Sequence, residues 1–356
     1  MRSLLSSSFA TLALVGLLCL TLNASPARAV CSANNKCGRD APCCSSSGYC
    51  GSSAEYCLAN CNPIGSLSPS SCAAMPTCQN THIDFTDNRK HWVNLKGFNG
   101  DASLAPLTLD SGNIKLTNEG AVMQLTKANQ DVGTQLSTTR YLYYGEVSAT
   151  FKHTNNAGIV GTMILMSPTH DELDYEFTTA NRHEVQTNAF YRGQTSDNDA
   201  NAETIPASAM GGKSFTTSDF HTYTIKWSPT TIHWSVDGKV VRTIARSSRR
   251  VAKTKKTAAH YAYPATPARV QLSIWCAGCP GNAPGTRAWS GGKPDWSKAE
   301  KVDGKQAFTV TVKSLDVKCD TPASIGSSPA MSFAGGALDS ETGEPRVVPT
   351  KRKTTI

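Results

Sequence analysis

Beyond its first 29 residues, this sequence of 356 has no apolar run approaching the roughly 20 residues that a membrane-spanning helix needs. No segment of the mature chain is therefore expected to cross a bilayer. The last residues, Thr-Lys-Arg-Lys-Thr-Thr-Ile, lack the hydrophobic tail of roughly 10 to 20 residues that a glycolipid anchor signal requires, so no such anchor is expected. Helical periodicity is scarce throughout, which turns the reading toward strands. No zinc, helix-turn-helix or RNA-binding motif gives the positive charge a target, which excludes nucleic acid as a partner.

What is present begins with a leader. Arg2, a mostly apolar stretch of about eleven residues between Leu12 and Leu22, and the small-x-small run Ala27-Arg28-Ala29 form a secretory signal over residues 1–29. The mature chain is accordingly expected to be secreted, extracellular or in a cell wall. Of 13 cysteines, Cys19 leaves with the leader, and the remaining twelve suit a full set of disulfides in an oxidising compartment. Their distribution is uneven: seven lie in 31–61, then Cys72 and Cys78 follow, and Cys276, Cys279 and Cys319 are far downstream. That asymmetry marks two domains. The formal charge of +8 falls to +6 without Arg2 and Arg28, much of it in 246–256 and in Lys351-Arg352-Lys353. The first of these runs reads as a solvated loop.

Residues 30–61 form a cysteine-dense unit too short to hold itself together by apolar burial alone. A Pro/Ser/Gly-rich linker spans 62–77. From 78 to 321 the pattern is of many short strands between turn signals, among them 114–116, 144–151, 185–191, 222–227, 270–275 and 308–317. The segments 231–236 and 239–242, joined by Asp237-Gly238, read as a β-hairpin. About 240 residues of this kind predict an all-β fold, a two-sheet antiparallel sandwich of the jelly-roll type. The tail, 322–356, is rich in Ser, Gly, Pro and charge and is expected to be disordered.

Within the strand-rich part, Asp171-Glu172-Leu173-Asp174-Tyr175-Glu176-Phe177 places three acids at every second position. On a strand, Glu172, Asp174 and Glu176 share one side while Leu173, Tyr175 and Phe177 fill a core behind it. Crowded like charges split their pKa values, leaving one carboxylate ionised beside one held protonated. A retaining glycosidase needs that pair, as nucleophile and acid. The bland reading is a polar outer face on an edge strand. Four residues of strand separate the Cα atoms of Glu172 and Glu176 by about 13 Å, so carboxyls about 5 to 5.5 Å apart require a concave sheet. Further along, Gln271, Ser273 and Trp275 alternate with Val270, Leu272 and Ile274, so Trp275 faces either a cleft or the core. Cys276 and Cys279 form a C-x-x-C pair without partner ligands; it reads as a local disulfide on the rim, and neither a metal nor any other cofactor is expected.

Two resemblances sharpen this. The run Cys43-Cys44-Ser45-Ser46-Ser47-Gly48-Tyr49-Cys50-Gly51, followed by Glu55-Tyr56-Cys57, resembles the hevein-type chitin-binding domain, carbohydrate-binding module family 18. The resemblance implies bridges Cys31 to Cys44, Cys37 to Cys50 and Cys43 to Cys57, with Cys61 left for a downstream partner such as Cys72. It also implies sugar contacts at Ser45, Ser47, Tyr49 and Tyr56. Aromatic rings would stack on the apolar faces of N-acetylglucosamine while a hydroxyl and Glu55 bond its polar groups. Ser47 stands where the family usually has an aromatic, which should weaken binding.

The second resemblance covers nearly all of 78–320. Tyr144-Gly145-Glu146-Val147, Gly158-Ile159-Val160-Gly161, the acid triplet, Glu184-Val185-Gln186-Thr187-Asn188, 221–227 and 234–238 resemble glycoside hydrolase family 16. Tyr263-Pro264, Ser273-Ile274-Trp275, Asn282-Ala283-Pro284-Gly285-Thr286 and Trp289-Ser290-Gly291-Gly292 are similar to the fungal Crh cell-wall transglycosylases within it. The resemblance implies Glu172 as nucleophile, Glu176 as general acid and base, and Asp174 as the residue that holds and tunes the nucleophile. It further implies that Gln271, Trp275 and Thr286 contact a chitin-like donor near Glu176. The expected activity is retaining cleavage of β-1,4-linked N-acetylglucosamine chains and their transfer to β-glucan or chitin. A hydrolase of chitin or β-1,3/1,4-glucan, and a catalytically silent chitin-binding wall protein, are the alternatives. The expected partners are those wall polysaccharides, with the protein itself a monomer.

Overall fold

A computed structural model of the chain describes residues 30–59, 61–178, 180–194, 201–254, 258–336 and 338–356; the leader and its expected cleavage site lie outside them. Two large sheets enclose the main core, as the strand-rich reading predicts. One runs, edge to edge, Glu203–Pro206, Glu184–Phe190, Glu172–Thr178, Ile159–Met166, Arg269–Cys276, Thr134–Thr138, Leu107–Ser111, Trp92–Asn94. It is antiparallel except for its last pairing. The other runs Lys239–Ala245, Thr231–Val236, His221–Trp227, Gly145–His153, Lys305–Cys319, Gly120–Leu125, Asn113–Thr117, with Thr81–Asp84 and Glu300–Val302 also on Lys305–Cys319.

Period-2 alternation explains the packing. In Gly145–His153 every second residue is buried, and Val147, Ala149 and Phe151 meet Leu173, Tyr175 and Phe177 from the opposite sheet in one core. Phe177 packs edge-on against Phe151 and Tyr223, with ring centres 5.0 and 4.7 Å apart. Burying a side chain of this size stabilises the fold by about 2 to 3 kcal/mol. The expected hairpin is present, and both of its turn residues, Asp237 (φ 49°) and Gly238 (φ 80°), take the left-handed conformation that a two-residue turn of this hand demands.

The cysteines pair as Cys31–Cys44, Cys37–Cys50, Cys43–Cys57 and Cys61–Cys72 near the N-terminus, with Cys78–Cys319 and Cys276–Cys279 in the sandwich. The first four make the small module. Part of the expected linker belongs to it: buried Ser66 accepts from the Cys44 amide, and the Leu67 amide bonds Pro42 O. Gly51 lies against the Tyr56 ring so closely that a Cβ would stand 2.2 Å from it, which makes glycine obligatory there.

The tail departs from its expected disorder. Ala330–Phe333 pairs with Val347–Thr350 and with Met75–Pro76, and Ile325, Met331 and Phe333 bury themselves against Met75 and Tyr141. A handful of apolar residues, each fully used, orders a segment whose average composition is polar. Farther on, Arg352 donates to Ser70 O and Cys72 O, tying the tail to the small module. The basic segment is likewise less free than a solvated loop. Arg246 pairs with Glu341 at 3.1 Å and lies over the Tyr261 ring, and Arg249 bonds Asn201 and Ala262 O. Lys255 and Lys256 lie outside the described residues.

The tail also inserts Glu344, only 1% exposed, beside Asp171, Arg192, Tyr191 and Tyr143. Neither carboxyl oxygen finds a hydrogen bond, and Arg192 stands 3.8 Å away. Burial, reinforced by Asp171, holds this acid far above the usual carboxylate range. A pKa raised on folding gives stability that is complete below the unfolded value and is lost as pH climbs toward the folded one. Glu344→Gln is therefore expected to gain about 1 to 3 kcal/mol near neutral pH and little near about pH 4, read from thermal unfolding at both. A net loss near neutral pH would mean that Arg192 holds an ionised Glu344.

Candidate active site

The acid strand Glu172–Thr178 lies in the interior of the first sheet, between Ile159–Met166 and Glu184–Phe190. Leu173, Tyr175 and Phe177 are 1% exposed or less and belong to the core, so the three acids face away from it. Two bonds from the opposite sheet pin the strand. Trp234 Nε1 donates to Asp174 O and the Tyr175 hydroxyl donates to Ser235 O, each at 2.9 Å. At its start, buried Asp171 accepts from the amides of Arg192, Ala265 and Thr266 and from the Thr266 hydroxyl. One carboxylate thus ties two other loops to the start of the acid strand.

Strand register lays out the open face in rows, because residues directly opposite across a pair share a side. One row is Gln186, Glu176, Thr162, Ser273 and Gln135; the next is Asn188, Asp174, Ile164, Gln271 and Ser137. Glu172 and Glu176 line one cavity of about 330 Å³ together with Thr162, Ser273 and Trp275. A second space of about 340 Å³ continues past Trp275 to Gln130, Asp131 and Asn282, rimmed by the Cys276–Cys279 bridge.

The electrostatics separate the three acids. Burial pushes Asp174 far up, the charges of Glu172 and Glu176 push it further, and a hydrogen bond to Glu172 does the same. Of the three acids, Asp174 is the one whose neutral form its surroundings favour most, with Arg242 acting weakly the other way. Burial raises Glu172 as well, while the hydrogen bond with Asp174 acts in the opposite sense and favours its ionised form. Glu176 is pushed up to about 7, by burial first and by the charge of Glu172 second. The arrangement sets two carboxyls of different surroundings, Glu172 and Glu176, on one cavity, with the buried Asp174 between them on the strand.

Of the other sequence-derived positions, Trp275 faces this cavity while Val270, Leu272 and Ile274 fill the core, which settles the alternation in favour of the cleft. Gln271 is buried in the row of Asp174. Thr286 sits half-buried on the short helix Pro284–Trp289, one turn before Trp289. In the small module Tyr49 is 41% exposed, its amide bonded to the Ser45 hydroxyl, Ser47 is exposed, and Tyr56 is half-buried against Gly51.

Three residues of the site carry roles that the sequence did not assign to them. Asp171 organises the loops; Trp289 packs on Trp275 with ring centres 6.4 Å apart and planes 29° apart; and Gln186 accepts from Trp289 Nε1 through its Oε1 at 2.7 Å. The alternation of Gln186 and Asn188 against Val185 and Ala189 was a signal that this strand adds a polar group to each of the two rows.

Comparison with known proteins assigns the chain to a family. The family model for glycosyl hydrolases family 16 matches residues 104–298. Crh-like protein 2 of Aspergillus fumigatus is 38% identical over 314 residues, 88% of this chain and 68% of the relative. Congo red hypersensitive protein 2 of Saccharomyces cerevisiae is 35% identical over 295 residues, 83% of this chain and 60% of the relative. The chain thus spans about two thirds of the length of these relatives. A solved structure described as Crh5 transglycosylase in complex with NAG aligns with a TM-score of 0.56 at 25% identity, covering 73% of this chain and 90% of that one.

Proposed function

From the premise that this chain belongs to glycosyl hydrolase family 16, in its Crh-like branch, we propose that it is a secreted cell-wall transglycosylase acting on chitin. The observation that carries this is the pairing of Glu172 and Glu176 in one cavity with Trp275, with buried Asp174 bonded to Glu172. That the Crh5 transglycosylase was solved with NAG, the repeating unit of chitin, supports the choice of donor. The exposed Tyr49 with Ser45 and Tyr56 gives the small module a face for the same polymer.

In the first step a Glu172 oxygen attacks the anomeric carbon, and the bond from that carbon to the bridging oxygen breaks. The departing oxygen takes the Glu176 proton, leaving a glycosyl ester on Glu172. Gln271, Trp275 and Thr286 are the donor contacts in this reading, with the indole supplying a stacking face. In the second step Glu176, now a carboxylate, removes the proton from an acceptor hydroxyl. That oxygen attacks the same carbon and the ester breaks. A β-glucan or chitin hydroxyl gives a cross-link, and water gives shorter chitin. Positioning an acceptor in line while excluding water favours the first outcome. The wall polysaccharides are the partners, and the protein acts as a monomer. Among the described residues no helix is long and apolar enough to cross a membrane.

Incubating the purified protein with a chitin oligosaccharide donor and a fluorescent β-1,3-glucan oligosaccharide acceptor, then sizing the labelled products, tests this reading. Labelled products larger than the acceptor are expected. Donor shortening without labelled growth would establish a hydrolase instead, and chitin retention with neither reaction a binding protein. The same assay run across pH should show a fall above about 7, where Glu176 loses the proton it must donate. An aryl leaving group that departs without a proton should flatten that limb.

A further inference from the structure

Trp289 does more in this structure than extend the aromatic surface of Trp275. Its ring stacks on Trp275, and its indole N–H is spent on the side-chain oxygen of Gln186 at 2.7 Å, across 103 residues of sequence. Gln186 is the direct cross-strand neighbour of Glu176, so their side chains leave the sheet on the same side with Cβ atoms about 4.5 to 5.5 Å apart. With the oxygen bonded to the indole, the amide is fixed in one orientation, and its NH₂ group is directed away from Trp289. Gln186 is half-buried, beside a carboxyl whose two largest influences are burial and the charge of Glu172.

We infer that Gln186, oriented by Trp289, is a positioning residue for Glu176: its amide N–H groups face the carboxyl that must serve first as acid and then as base. This rests on the reading of Glu176 as the acid and base. In the first step the amide holds the carboxyl in place without competing for its proton. In the second it donates to the carboxylate that takes the acceptor's proton, and so favours the charged form when that form is needed. Trp289 enters from the helix Pro284–Trp289, beyond the Cys276–Cys279 bridge, so the same loop that extends the cleft also sets the catalytic acid.

The discriminating variant is Gln186→Glu, which keeps the shape and an oxygen for Trp289 but turns an acceptor toward Glu176 where a donor stood. The basic limb of the kcat profile is expected to move up by about 1 in pH, with kcat falling about tenfold and KM for the donor changing less than about twofold. Gln186→Leu should move the limb the same way by a smaller amount. Trp289→Phe, which keeps the stacked ring and removes the N–H, should shift the limb in wild type and leave Gln186→Leu unchanged. A basic limb that stays at its wild-type position in Gln186→Glu, with melting temperature intact, overturns the inference. So does a Trp289→Phe shift that simply adds to that of Gln186→Leu. The premise is tested separately, by Glu176→Gln with two donors: it should lose activity on the chitin oligosaccharide and keep its first step on the aryl donor, and if activity and the basic limb survive on the chitin oligosaccharide, Glu176 is not the acid and the functional reading fails whatever Gln186 does.

Discussion

Glu172→Gln is expected to abolish transfer and hydrolysis alike, lowering kcat/KM by more than about 10⁴-fold, while raising the melting temperature. Both effects have one cause. The strand crowds three carboxyls on a single face, and folding lifts Glu172, Asp174 and Glu176 above their ordinary values. For each, a raised folded pKa means that its stability contribution is complete below the unfolded value and is lost as pH rises through the folded one. Near neutral pH the wild-type site therefore costs stability. Replacing the Glu172 carboxylate by an amide removes one charge from the cluster without changing its shape, and relieves both neighbours. Thermal unfolding between about pH 4 and about pH 8 should show wild type losing more stability than the variant. Equal slopes would mean that the crowding is relaxed by solvent, and retained activity would remove Glu172 from its role as nucleophile.

Loss of the Cys78–Cys319 bridge is expected to have the largest effect on the fold. It closes a loop of sequence separation 241, far longer than any other bridge described here. On the chain-entropy argument such a closure is worth about 5 kcal/mol, mostly by restricting the unfolded chain. The Cys78→Ser/Cys319→Ser pair should therefore lower the melting temperature by roughly 10 to 20 °C. The native ladder beside it, Thr81–Asp84 on Lys305–Cys319, gives the variant a route to the same fold. A drop of only a degree or two would show that the unfolded chain is already compact without the bridge. Removing Cys276–Cys279, of sequence separation 3, should cost far less on the same argument.

Much of the site could be read in the sequence, because a strand shows its two faces at alternate residues. The acids and the core residues between them, Trp275 opposite Ile274, and the Asp-Gly hairpin all follow from period 2 and turn chemistry. Three of the N-terminal bridges followed from resemblance to a known cysteine framework, while the partner of Cys61 was left open and proves to be Cys72. What stayed hidden depends on long-range meetings that leave no local pattern. Trp289 finds Gln186 across 103 residues, and Asp171 finds Thr266 across 95. The tail misled for a different reason. Its average composition is polar, but Ile325, Met331 and Phe333 are all placed on one buried side, and Glu344 is buried where an acid normally is not.

The position of Lys305–Cys319 governs how the molecule can be made. This strand lies between Gly145–His153 and Gly120–Leu125 and also carries Thr81–Asp84, so segments synthesised early have no partner on that side until it arrives. At about 5 to 20 residues per second the wait is roughly 10 to 40 s. For that interval the edges of three early strands stand open to other nascent chains. The eight cysteines of the small module can pair among themselves, but Cys78 remains an unmatched thiol while its partner is still inside the ribosome. The yield of correctly folded protein should consequently be set by how well an early thiol and three early strand edges are guarded, and by how readily mispaired disulfides exchange.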